Sequence, residues 1–238
     1  MIYCYFAFAD DSAALSLSVE QLRRADPAAV VYVANDAAAP AEVPPGCIEL
    51  RTTYDRGRTG SGLPAVRGEL EAFRHILTAT GEDYLIKIDC DMWVRDVSLF
   101  RPGFTVAEGM PEPDFVACEG GRPLSPMGCF YRVSRWAVDY CLAAIAERDR
   151  LGAWQPGAYA EALTMWALLA LSHLRLQLYP AALGYLTGYT LTGAALSPAV
   201  TSAALVHCGE PFFVGSEYHR APRVLTLTRL IHLRDLSR

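Results

Sequence analysis

Lysine is almost absent from this chain: of 21 basic side chains, all but Lys87 are arginines. Phosphate sites that depend on a loop lysine are therefore excluded. The Gly-rich stretch "GRTGSG" is no Walker loop, because the Lys-Ser/Thr pair that holds phosphate and Mg2+ is missing. Paired cysteines are missing too. Seven are scattered at 4, 47, 90, 118, 129, 141 and 208 without a CxxC, which excludes a disulfide framework and a structural zinc site. Buried thiols in a reducing cytoplasm are the plain reading. The apolar run "ALTMWALLALSHL" at 162–174 falls short of the roughly 20 residues that span a bilayer. The apolar N-terminus lacks the basic flank of a signal peptide. No repeat, low-complexity tract or linker is found, and a net charge of −5 lacks the basic surface of a general nucleic-acid binder.

What is present is a chain of 238 residues, 52% apolar and 20% charged, suited to one domain with one core. Residues 2–8 form a continuous apolar run, as expected of a strand buried on both faces. Ser12 is placed to cap a helix whose Leu15, Val19 and Leu22 share a face, and Asp26-Pro27 stops it. "AVVYVAND" (29–36) is a second buried strand, and a short strand lies near 47–50. A polar, basic loop at 51–64 leads to a helix with Val66, Leu70, Phe73 and Leu77 facing inward. A third buried strand, 84–88, runs into Asp89-Cys90-Asp91. Alternation of this kind predicts an α/β fold with a mainly parallel sheet. Beyond residue 96 the pattern is mixed. It predicts strands at 114–118, 128–133, 176–179 and 203–207, and helices at 134–148 and 159–174.

The Asp89-Cys90-Asp91 element is the first sign of chemistry. A bare Asp-x-Asp is expected about once by chance in a chain of this length, so its setting decides. Ligands of open α/β sheets bind beyond the carboxyl ends of strands. Two side chains at alternate extended positions point the same way and can share one hard cation. Three readings follow: a cation clamp, a phosphoryl-transfer nucleophile with its partner, or a solvated strand end. Haloacid-dehalogenase phosphatases carry a strand-then-DxD motif with the first Asp as nucleophile, which here would be Asp89. In that family the motif opens the domain and a small residue follows at the next alternate position. Here it sits behind earlier strands, and Trp93 holds that position.

Five stretches in order resemble the GT-A glycosyltransferases: "FADDSAALSLSVEQLRRADP", "YVAND", "YLIKIDCDMWV", "SPMGCFYRVSRWAVDYC" and "LVHCGEP". The last is similar to the H-x-G of the glycogenin and galactinol-synthase type. The resemblance implies a GT-A-like, Rossmann-like nucleotide-sugar-binding half (1–96) and a mixed acceptor-side half (97–238) carrying a C-terminal metal-ligand segment. It implies Mn2+ or Mg2+ held by Asp89, Asp91 and His207, with Asp89 on the metal or on the donor ribose. His207 read alone is equally a core histidine with a satisfied ring. Asp10, Asp11 and Asp36, at the first two strand ends, would face the nucleoside of a donor such as a UDP-sugar. Relatives continue past H-x-G to a lysine that grips the diphosphate; Glu210-Pro211-Phe212 stands here instead, so an arginine is needed. Arg220 or Arg223, and Arg58 or Arg67 beside the Gly-rich loop, are the choices. Cys90 and Cys208 read as packing residues, because thiolate suits Mn2+ and Mg2+ poorly.

If the reaction inverts the sugar, Glu161 at the start of the 159–174 helix is the candidate general base; a favourable charge near a helix N-terminus is the other reading. The H-x-G feature leans toward retaining relatives, and the stereochemistry stays open. The tail "RVLTLTRLIHLRDLSR" alternates leucines with Arg223, Arg229, Arg234 and Arg238. It reads as a packed helix or oligomer contact, or as a basic helix touching an anionic membrane. The acceptor (glycan, lipid-linked sugar, protein or small molecule) is left open, as is the oligomeric state. A phosphatase using Asp89 and a non-catalytic nucleotide-binding relative are the other functions considered.

Overall fold

A computed structural model of the chain describes residues 1–52, 63–104, 111–119, 126–150, 175–180, 183, 185–188, 202–208, 212–214, 217–219 and 223–237. Its first half is built from β1 (Ile2–Ala7), α1 (Ser12–Ala25), β2 (Val30–Asp36), β3 (Ile48–Thr52), α2 (Leu63–Thr80) and β4 (Tyr84–Asp89). β1 is buried throughout, as its unbroken apolar run requires of a strand covered on both faces. β5 (Met92–Val94) follows the Asp89-Asp91 turn, then come β6 (Phe115–Glu119), β7 (Pro126–Ser134), α3 (Arg135–Arg150) and β8 (Leu176–Tyr179). The remainder comprises β9 (Leu186–Gly188), β10 (Leu205–His207), β11 (Phe212–Val214), β12 (Glu217–His219) and α4 (Arg223–Leu236).

A seven-stranded sheet runs in the order β3-β2-β1-β4-β7-β6-β8. β3-β2-β1-β4 are parallel, β7 is antiparallel to both β4 and β6, and β8 is parallel to β6. The chain winds outward from β1 to β3 and then crosses back to β4 on the other side. That reversal makes the carboxyl ends of β1 and β4 the switch point at which open α/β sheets place their ligands. α1 covers one face through Leu15, Val19 and Leu22. α2 and α3 cover the other, where Val66, Leu70, Phe73 and Leu77 are fully buried against β1, β4 and β7 residues. The inward stripes expected of both helices are thus the ones observed.

Three features differ from expectation. Ser12 is the first residue of α1 rather than its cap. Its hydroxyl donates to the Ala9 carbonyl and accepts from the Glu42 amide, both at 2.9 Å, because the neighbouring loop competes for it. Of the second sheet, β5-β10-β9, the sequence pattern shows only β10, within the strand expected at 203–207; the three-residue β5 and β9 carry too little alternation to register. In the tail, Arg229 is not on an exposed basic side: it is buried and donates to the Cys208 carbonyl at 2.7 Å. Leu230 and Leu233 of α4 pack with Ala14, Trp93, Val206 and Cys208. No described helix is long and apolar enough to cross a membrane. The helix expected at 159–174 lies outside the described residues.

Candidate metal and nucleotide site

β4 carries Leu85, Lys87 and Asp89 on one face and Ile86 and Ile88 on the other. The strand ends at Asp89, and the turn reverses into β5. β10 pairs antiparallel with β5 so that His207 lies opposite Met92, and the Cys208 amide donates to the Asp91 carbonyl at 2.8 Å. That register, more than any local preference of His207, brings a distant segment to the turn. His207 Nε2 lies 3.4 Å from Asp91 Oδ2, and both side chains keep partial exposure. One ligand atom each from Asp89, Asp91 and His207 falls within 4.8 Å of the others.

Two carboxylates and an imidazole form a donor set for a hard to borderline divalent cation. Ligand atoms around an octahedral ion with bonds of about 2.1 Å sit about 3–4 Å apart. Small side-chain rotations would close the observed spacing to that range, so the residues fit such an ion. Cys90, between the two aspartates, turns away and donates from Sγ to the Phe6 carbonyl at 3.2 Å. Cys129 borders the site: burial pushes its thiol up to about 12, His207 pulls it down, and Asp89 and Asp91 push it up. Cys129 therefore stays a neutral thiol, the poor ligand form.

Lys87 is the residue that motif reading passed over. It is 1% exposed, and its Nζ lies 2.5 Å from both Asp89 Oδ1 and the Gly128 carbonyl of β7. The Tyr131 ring lies 5.7 Å from the ammonium. The signal was available: the lone lysine of the chain, in an apolar strand, two residues before Asp89 and so on its face.

The other expected residues are distributed as follows. Asp10 is exposed beyond β1. Asp11 is buried, and its Oδ2 accepts from the Phe8 amide at 3.3 Å. Asp36 is buried at the end of β2, where its Oδ1 accepts from the Ala38 amide at 2.8 Å. Arg67 lies in the first turns of α2, partly exposed. Arg223 opens α4. Arg58, Glu161 and Arg220 lie outside the described residues.

The strand-order reversal between β1 and β4, an Asp-x-Asp turn on β4 and an antiparallel β7 beside it define the GT-A fold. Two solved structures share it along nearly their whole length. One is a glycosyltransferase involved in the glycosylation of the major capsid of PBCV-1, with a TM-score of 0.58 at 10% identity over 97% of this chain and 98% of that one. The other is an active-site mutant of LgtC, with a TM-score of 0.57 at 12% identity over 99% and 96%. No family profile and no curated protein sequence matches the chain.

Proposed function

We propose that this protein is a metal-dependent glycosyltransferase that takes its sugar from a nucleotide donor, a UDP-sugar. The observation that carries the reading is the convergence of Asp89, Asp91 and His207 at the carboxyl end of β4, within 4.8 Å of one another. The similarity of fold to two glycosyltransferase structures supports it. A cation bound there would neutralise charge building on the departing diphosphate. Mn2+ is the better fit of the two candidate ions, because an imidazole beside carboxylates suits it more than Mg2+.

This chain's residues have the following roles. Asp91 and His207 hold the cation, with Asp89 sharing it or the donor ribose. Asp10, exposed just beyond β1, is the nucleoside contact, with Asp36 shaping the adjoining loop and Asp11 bracing the turn after β1. Arg67 and Arg220 are the candidates for gripping diphosphate, and Glu161 the base if the reaction inverts the sugar. The acceptor approaches from the β7 side.

A thermal-shift screen of nucleoside diphosphates tests this reading. UDP and Mn2+ together should raise Tm more than either alone, and Asp91→Ala should abolish metal-dependent donor hydrolysis without loss of fold. No shift with any nucleoside diphosphate and metal would remove the reading. Turnover of simple phosphate esters that depends on Asp89 would replace it with the phosphatase alternative.

A further inference from the structure

Two cations are fully buried in the large sheet, and they do different things. Arg132 sends its guanidinium to Glu112 Oε1, at 2.5 Å, and to the Phe100 carbonyl, at 3.1 Å, away from the Asp-x-Asp turn. Lys87 sends its ammonium to Asp89 itself and to the carbonyl of Gly128. Burying an ammonium is costly, and all twenty other Lys/Arg positions in the chain are arginine. An ammonium is a compact point charge, where a guanidinium is a broad planar fork. At Lys87 it places one positive charge directly behind a carboxylate that faces the cation position.

We propose that Lys87 determines what the site accepts: a cation already bound to a nucleoside diphosphate, rather than the bare cation. This inference rests on the glycosyltransferase reading above. Asp89 and Asp91 bring two negative charges, and Lys87 offsets one of them across the Asp89 carboxylate. A bare Mn2+ carries two positive charges and is repelled by the ammonium. The same ion bound to UDP belongs to a complex of net negative charge and is attracted. Lys87 therefore penalises the first and favours the second. Glu69, buried on α2, accepts from the Tyr131 hydroxyl at 3.1 Å, a bond that substitution at Lys87 leaves in place. By linkage, the factor by which UDP tightens Mn2+ equals the factor by which Mn2+ tightens UDP. Lys87 makes that factor large.

The test is Mn2+ binding followed by electron paramagnetic resonance, with and without UDP, on the wild type, Lys87→Met and Lys87→Gln. The Gln variant keeps a hydrogen-bond donor for Asp89 and Gly128 but no charge, and it carries the test if the Met variant does not fold. Wild type should bind bare Mn2+ weakly and bind it far better with UDP. Both variants should bind bare Mn2+ at least ten-fold more tightly, with the UDP enhancement reduced by at least that factor. Bare Mn2+ affinity that is unchanged within two-fold, or weaker, in folded variants overturns the proposal and leaves Lys87 as a brace for Asp89. Because the chain has one lysine, selective 15Nζ labelling yields one lysine side-chain signal. Mn2+ with UDP should broaden that signal in the wild type. A folded wild type whose Lys87 signal is untouched by Mn2+, with or without UDP, overturns the site reading and this inference together.

Discussion

At the end of β2, the side-chain amide of Asn35 accepts from the Ala41 amide at 2.8 Å and donates to the Ala41 carbonyl at 2.9 Å and to Glu49 Oε1 at 2.7 Å. These bonds tie the loop after β2 back to the sheet beside the proposed nucleoside contacts. Asn35→Ala leaves the buried Ala41 amide and carbonyl without these partners. Stability by urea unfolding should fall by about 2–4 kcal/mol; a loss below about 1 kcal/mol would mean other bonds hold the loop. The cysteines offer a second check. Six are buried and Cys47 is intermediate. Burial is the leading cause of the upward shift at Cys4, Cys47, Cys118, Cys129, Cys141 and Cys208, so the buried ones stay protonated and inaccessible at pH 8. Cys47, bonded by Arg23 at 3.5 Å, is the one open to solvent. Alkylation of the native protein followed by mass spectrometry should label Cys47 alone, with the others reacting after unfolding. Early labelling of Cys90 or Cys129 would show that the site's walls open readily.

Among the elements, α4 is where the sequence left two readings open, because leucines and arginines alternate too evenly to reveal which face is inward. Packing decides it locally: Leu230 and Leu233 are fully buried, and Arg229 is spent on the carbonyl that follows His207. Leu233→Ala should therefore cost about 2–5 kcal/mol, while Arg234→Ala, on the outer side, should stay within about 0.5 kcal/mol. Similar small losses at both positions would mean that α4 is loosely docked. The same packing predicts little binding to anionic vesicles at physiological salt, as the apolar side is occupied; co-sedimentation that rises as salt is lowered would restore the membrane reading. Elements and their inward faces were legible wherever a stripe or run was unambiguous, as in α2 with its four inward residues and in β1, although α2 starts at Leu63, inside the loop expected at 51–64. They were not legible for β5 and β9, where three residues cannot display a period, nor for the direction of β7, which depends on pairing with β4 and not on its own composition.

For the whole molecule, the parallel half could be read because strands buried on both faces appear as continuous apolar runs with amphipathic helices between them. The Asp89-Asp91 pair could be read because it follows such a run. Its third partner could be named only through resemblance, since what brings His207 near Asp91 is the β5–β10 register, a long-range pairing with no local signature. That pairing makes a prediction at the same scale. If a cation is held by Asp89, Asp91 and His207 together, every opening that separates β10 from β5 must first release it. Mn2+ with UDP at about 100 times the dissociation constant adds about 2.7 kcal/mol to such openings, so amide exchange governed by them should slow about 100-fold. The slowing should fall on 90–94 and 205–208 together, even though the segments are far apart in the chain. His207→Ala should uncouple them, leaving protection at 90–94 reduced and at 205–208 lost. Protection confined to 90–94 in the wild type would mean that the cation rests on the aspartates alone, with His207 serving only the packing of the second sheet.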